Sequence, residues 1–325
     1  MSSKQHIARG YSSSDYQTIN AQLLLAKSLP EPDPKADKDG CGSVLIIAGS
    51  PELMGACILS GIGALRAGAG RLRIATVETI APFIGMSLLE ARVFSLPQTA
   101  NGGISPDEKT CELLCELASK MDCVLFGTGL SDEFAVKQIL SKLLENLKQG
   151  TLVLDAAALN VLSKLKSTQH SPDLSVILTP HHNEMASLLE CEPDVIANDP
   201  IKAVKQAVQR YQATVALKGH ETFITGPDGI IYRNTAGNVG LATSGSGDTL
   251  AGVIAGLAST GAKADIATIW GVHVHATAGD RLADQFHQTG FLARELLDEI
   301  PHAIQHFKNK NKKETYLHKS NNDDK

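Results

Sequence analysis

Short apolar runs recur along this chain between longer stretches of helical periodicity, and that alternation constrains the fold more than any other feature. The runs fall at 43–48, 71–76, 123–126, 151–154, 176–178 and 214–217. Several are almost continuously apolar, as strands covered on both faces must be. Helical patterns such as 53–66 and 135–147 separate them, so the chain reads as repeated βα units around a parallel sheet. Right-handed crossovers then predict a doubly wound α/β fold, with helices on both faces of a mostly parallel sheet. The rhythm breaks once, where 222–225 and 230–233 flank Gly226, Pro227, Asp228 and Gly229 and predict a β-hairpin near residues 222–233. Helical patterns follow at 248–257, 265–284 and 293–300, the last expected to end at Pro301.

A length of 325 residues suits one large domain or two small ones, and no internal repeat or domain linker appears. The expected organisation is an N-terminal extension over 1–40, with a possible short helix and a flexible Pro- and Asp-rich linker. A main domain over 41–305 and a disordered polar tail over 306–325 follow. Thirty basic against thirty-five acidic residues give a net charge of −5, too mild to suggest the electrostatic footprint of a nucleic-acid binder, and no nucleic-acid partner is expected. Lys308, Lys310, Lys312 and Lys313 read as a solvated terminus. The six cysteines are scattered without a C-x-x-C pair and read as small buried hydrophobes in a reducing compartment. With no apolar leader and no run of membrane length, the expected location is cytoplasmic, away from the membrane.

The most chemically informative motif is Gly245-Ser246-Gly247-Asp248, which leads from a loop into an apolar helical run. Small residues there let backbone N–H groups converge on a phosphoryl anion, helped by the positive end of the helix dipole. Gly245, Ser246 and Gly247 are therefore candidate anion-hole residues, and Asp248 is a candidate general base for a substrate hydroxyl. Asp is also a favoured helix cap, an alternative weakened by the two glycines and the hydroxyl beside it. No G-x-x-x-x-G-K-[ST] occurs, and Leu250 stands where a dinucleotide fingerprint needs its third glycine.

Gly49-Ser50 and Gly55-Ala56-Cys57 fit two readings equally, a backbone surface for a ligand or close packing of a helix on the sheet. Gly127-Thr128-Gly129 follows the run 123–126, at the kind of strand end where open α/β sheets hold ligands. His273 and His275, two apart on a predicted helix, read as packing residues and not as metal ligands.

In their order and spacing these motifs resemble the ADP- or ATP-dependent NAD(P)H-hydrate dehydratases of the ribokinase-like superfamily, over roughly residues 44–300. The resemblance is carried by Ala48-Gly49-Ser50 with Gly55-Ala56, Leu65-Arg66-Ala67-Gly68-Ala69-Gly70, Gly127-Thr128-Gly129-Leu130 and Asp155 with Ala158-Leu159-Asn160. Thr179-Pro180-His181 with Glu184-Met185, Lys218-Gly219 and the Gly245 to Asp248 turn complete it. It implies a ribokinase-like fold and a lyase of nicotinamide-nucleotide repair. ADP or ATP, with Mg²⁺, phosphorylates the hydroxyl of the S form of NAD(P)H hydrate; loss of phosphate restores NAD(P)H and AMP or ADP is released.

By match to family positions, Ala56, Gly129, His181 and Asp248 would contact the hydrated dinucleotide. Lys218, Gly219, His220, Glu221, Thr222 and Gly247 would hold the AMP part of the donor. Glu184 is a candidate for organising Mg²⁺ through water and equally fits a helix-start acid. The resemblance also implies a homo-oligomer, a tetramer in one form, and the lack of a fused epimerase domain leans towards ADP. The chain departs from the family at His182-Asn183, where Pro-Gly is usual, and at Ala157, where an Asp is usual. The first departure predicts an altered loop, because Pro and Gly set backbone angles that His and Asn do not. A hydroxymethylpyrimidine-type kinase of the same superfamily shares the Gly-x-Gly-Asp turn, and a non-catalytic nucleotide sensor would fit the departures. Free phosphate separates the dehydratase from the kinase, and turnover separates it from the sensor.

Overall fold

The structure, a computed structural model, describes residues 15–31, 33, 35 and 40–320. Among them, β1 (Gln17–Thr18), β2 (Ser43–Ile47), β3 (Arg71–Val77), β4 (Ala91–Leu96), β5 (Cys123–Phe126), β6 (Gly150–Leu154), β7 (Leu174–Leu178), β8 (Thr214–Leu217), β9 (Thr222–Thr225) and β10 (Ile231–Asn234) form one sheet. Its order is β1-β10-β9-β8-β7-β6-β5-β2-β3-β4. From β8 to β4 every pairing is parallel, and the hairpin β9–β10 supplies the antiparallel break that the Gly226 to Gly229 turn predicts. The helices are α1 (Ala21–Ala26), α2 (Gly55–Arg66), α3 (Ala81–Ser87), α4 (Glu108–Ala118), α5 (Glu133–Asn146), α6 (Ala157–Leu162), α7 (His182–Leu189), α8 (Pro193–Asn198), α9 (Pro200–Tyr211), α10 (Ser246–Ser259), α11 (Ala264–Gln285) and α12 (Ala293–Ser320). None of these helices is long and apolar enough to cross a membrane.

Every residue of β2, β5 and β8 is buried, which is why their sequence is apolar without alternation. β4 lies at the sheet edge, half-exposed and interrupted by Arg92 and Ser95, so it leaves no such run to be read. Residues 15–27 are not a free extension. β1 pairs with β10, Leu24 of α1 is buried, and the Trp270 indole N–H donates to the Lys27 carbonyl at 2.7 Å.

Pro301 does not end the last helix. α12 runs from Ala293 to Ser320, through 306–320 of the expected tail, while 321–325 lie outside the described residues. Leu296, Leu297, Ile300, Ala303 and Phe307 keep one buried face on both sides of the proline, and that packing outweighs the one hydrogen bond the ring removes.

Two helices decide where the functional residues fall. α10 lies over β2, β5 and β6, and α2 packs along it. The contact is backbone on backbone: a Cβ on Gly252 would stand 2.2 Å from the Ser60 carbonyl oxygen, and one on Gly256 would stand 2.4 Å from that of Ala64. Close packing is thus what the small residues of this helix pair serve. Gly55, at the α2 start, has no neighbour within 4 Å of where its Cβ would be, so it faces open space.

Candidate active site

The carboxyl ends of β2, β5, β6, β7 and β8 are neighbours in the parallel sheet, and each delivers a residue singled out by sequence. Gly49 and Ser50 follow β2, Gly127 to Gly129 follow β5, Asp155 follows β6, Thr179 and His181 follow β7, and Lys218 follows β8. This is the side of an open α/β sheet on which ligands bind. A cavity of about 1030 Å³, lined by Leu174, Ser175, Thr214 and Gly226, opens at the opposite ends of β7 and β8 and contains none of the residues singled out for chemistry.

Lys218 is the electrostatic centre. Its Nζ donates to Asp155 Oδ1 at 2.9 Å, and the Thr179 hydroxyl donates to the same oxygen at 2.7 Å. Burial alone would lower the ammonium's pKa, but Asp155, Glu184 and Asp248 together hold it above the ordinary lysine value. A Cβ built on Gly247 would lie 3.6 Å from that Nζ, so the glycine leaves the space between the first turn of α10 and the ammonium clear.

In that first turn, Gly245 takes the left-handed φ of 88° that glycine tolerates, and turns the loop into the helix. Thr249 N–H donates to the Gly245 carbonyl at 3.0 Å, and Ser246 N–H donates to the Thr243 carbonyl at 3.2 Å. The N–H groups of Gly247 and Asp248 are left as the open donors of the turn. Ser246, an expected anion-hole residue, has its N–H spent within the loop and its buried hydroxyl 3.2 Å from His275 Nε2. Burial, with the Asp155 charge adding to it, pushes the Asp248 carboxyl up to about 6, against the pull of Lys218.

His181 caps α7 with extended backbone, at φ −85° and ψ 176°. Its Nδ1 accepts from the N–H groups of Asn183 and Glu184, and its own N–H donates to Glu184 Oε2 at 2.8 Å. This reciprocal capping box lets the helix begin at His182 without the Pro-Gly pair. The His182 ring lies over Gly219, whose Cβ would stand 2.6 Å from its Cε1. Ala157 is simply the first residue of α6. Burial pushes the Glu184 carboxyl up to about 7, with Lys218 opposing and Asp155 reinforcing the shift.

The opposite wall is apolar and close. Gly129, at a φ of 64°, leaves no room for a side chain: its Cβ would stand 2.6 Å from that of Ala56 and 2.7 Å from the Leu53 carbonyl. Cys57, next in α2, is near enough to Asp248 for that charge to add to burial in pushing its thiol up to about 12. Ala56 and Gly129 are thus in contact, Gly247 faces the Lys218 ammonium, and the charge of Lys218 reaches both His181 and Asp248. Gly219 and His220 are exposed and Thr222 opens β9, while the Glu221 carboxylate is turned to Arg233, whose Nε donates to it at 2.8 Å.

No group of three or more His, Cys, Asp or Glu side chains among the described residues could hold a metal ion. The Glu184 carboxylate accepts the His181 N–H through Oε2.

Sequence reasoning missed the supporting roles of three residues. Thr179 orients Asp155, and its place at a strand end beside Pro180 was the available signal. His275, read as packing, holds Ser246, and burial lowers its pKa to about 4, so it stays neutral. Asp280 of α11 accepts from the Gly237 N–H at 2.9 Å and the Asn238 side-chain amide at 3.0 Å, anchoring the loop that leads to Gly245. No spacing signal links residues so far apart in sequence.

The model of the NAD(P)H-hydrate dehydratase family matches residues 44–302. An ADP-dependent (S)-NAD(P)H-hydrate dehydratase from Xanthomonas campestris pv. campestris is 38% identical over 285 residues, 88% of this chain and 95% of that protein. A bifunctional NAD(P)H-hydrate repair enzyme from Moorella thermoacetica is 37% identical, and the match covers 89% of this chain and 54% of that longer protein. Among solved structures, an ADP/ATP-dependent NAD(P)H-hydrate dehydratase from Bacillus subtilis, co-crystallised with ATP and Mg²⁺, superposes with a TM-score of 0.76 at 28% identity. That superposition covers 91% of this chain and all of the other.

Proposed function

The chain belongs to the NAD(P)H-hydrate dehydratase family, and from that premise we propose how its residues divide the reaction between them. It is a lyase of nicotinamide-nucleotide repair that returns (S)-NAD(P)H hydrate to NAD(P)H, with ADP or ATP as phosphoryl donor. Asp248 takes the proton of the substrate hydroxyl as its oxygen attacks the terminal phosphorus, and the bond to AMP or ADP breaks. Lys218 and the N–H groups of Gly247 and Asp248 bear the negative charge of the moving phosphoryl group. The phosphate then leaves with that oxygen, and loss of a proton from the adjacent ring carbon restores the double bond.

Ala56, Gly129 and His181 line the dinucleotide, and the backbone from Lys218 to Thr222 follows the AMP part of the donor. Mg²⁺ enters as part of the nucleotide substrate, on its phosphates. The observation that carries this division is the cleared space at Gly247, 3.6 Å from the ammonium that Asp155 holds at 2.9 Å.

Incubation with hydrated NADH, Mg²⁺ and either ADP or ATP should restore dihydronicotinamide absorbance with release of free phosphate. Absence of recovery with both nucleotides rejects the reading, and phosphate retained on the product favours a kinase. We also propose a cytoplasmic homo-oligomer. Six free cysteines and the exposed Phe83, Met86 and Leu89 beside the edge strand β4 support it, and light scattering of the purified chain tests the assembly.

A further inference from the structure

The His181 ring is held in one tautomer. Its Nδ1 accepts from two main-chain N–H groups, of Asn183 at 3.1 Å and Glu184 at 3.2 Å, and such groups can only donate. A ring nitrogen that accepts carries no proton, so the neutral ring is protonated on Nε2. To become a cation, Nδ1 would have to surrender both bonds and leave two first-turn N–H groups of α7 unpaired. The surroundings act the same way. Burial opposes the charged ring, Lys218 and His182 repel it, and Asp155 only partly compensates, so its pKa lies below the ordinary histidine value.

At the other nitrogen, Glu184 Oε1 stands 3.6 Å from Nε2, beyond hydrogen-bond distance, and Oε2 is taken by the His181 main-chain N–H. Nε2–H is therefore an uncommitted donor on a side chain that is 53% exposed. A neutral imidazole brings no charge to an anion, and the positive charge for phosphates is already supplied by Lys218 and the α10 terminus.

We propose that His181 serves the hydrated dinucleotide only as a fixed Nε2–H donor to an uncharged oxygen, of the carboxamide or hydroxyl class, and never as a proton carrier. This rests on the reading of His181 as a wall of the dinucleotide subsite. It leaves Asp248 as the group that titrates in the first step, and it gives His181 a specificity role.

Nitrogen NMR of the full chain labelled in histidine, with His181 assigned by its loss in His181→Ser, should show a neutral ring protonated on Nε2 at pH 7. A proton on Nδ1, or a cation at that pH, overturns the proposal whether or not the chain turns over hydrated NADH. Serine keeps a helix cap but has no donor at the reach of Nε2. His181→Ser should therefore raise KM for hydrated NADH roughly three- to tenfold, with kcat nearly unchanged and the acid limb of the pH profile in place. An unchanged KM, or a pH limb lost with the ring, overturns it. His181→Asn, whose amide keeps a shorter donor, should fall between the two. It also replaces serine in the assignment if His181→Ser does not fold. Should wild type fail with both nucleotides, the dehydratase reading falls while the tautomer result still stands.

Discussion

Asp248 sits where two demands oppose each other. A base must be ionised, yet burial and the nearby Asp155 push its carboxyl up to about 6 from the ordinary 3.8. The ionised fraction, and with it kcat/KM, should fall as pH drops through about 6, by roughly tenfold per unit below it. Asp248→Asn should lower turnover by about 10²–10⁴-fold while nucleotide affinity stays close to wild type. The same shift has a cost in stability. A folded pKa above the unfolded one contributes stability that is present below the ordinary value and lost as pH rises through about 6. Asp248→Asn should therefore melt higher than wild type at pH 8, and the difference should vanish near pH 4; calorimetry at the two pH values checks the sign. Beside the Lys218 partner, Ala156 holds a φ of 50°, a conformation that alanine adopts only under strain. Ala156→Gly should stabilise the protein by about 1 kcal/mol in urea unfolding, since glycine enters this region freely.

Among the elements, the α2–α10 pair sets the distance between the Ala56 wall and Asp248. Because a Cβ on Gly252 would stand only 2.2 Å from the Ser60 carbonyl oxygen, alanine cannot be housed without parting the helices. Gly252→Ala should cost about 1–3 kcal/mol in chemical denaturation and lower kcat although it touches no ligand. The start of α7 shows the converse. His182-Asn183 stand where the family usually has Pro-Gly, and the helix begins at His182 because the Glu184 carboxylate and the His181 ring satisfy each other's backbone. Local propensity at two positions is outweighed by a cap that closes across three.

For the whole molecule, the sheet carries the N-terminal segment as a tenth strand, with Ile19 and Leu24 in the common core. A chain shortened to residues 41–305 should thus lose at least about 2 kcal/mol of stability, since each buried aliphatic side chain is worth about 1.5–3 kcal/mol. A chain spanning 15–308 should be more stable than 41–305, because it regains β1, Leu24 and the buried Phe307 of α12. Denaturant midpoints of the two chains test where the folded unit begins and ends.

The alternation of apolar runs and helical periods was sufficient to determine the doubly wound sheet, because strands buried on both faces must be apolar throughout and crossover handedness leaves little choice. The loop-to-helix glycines and Asp248 were legible as well, since only small residues let backbone donors approach an anion. What the sequence could not determine is which groups share one charge environment. Asp155 and Lys218 are 63 residues apart, and Asn238 and Asp280 are 42 apart, so each pair meets only through strand order and helix packing. The inward turn of Ser246, the short edge strands and the continuation of α12 past Pro301 were likewise decided by tertiary structure. Each depends on burial against residues distant in sequence, where packing outweighs local preference.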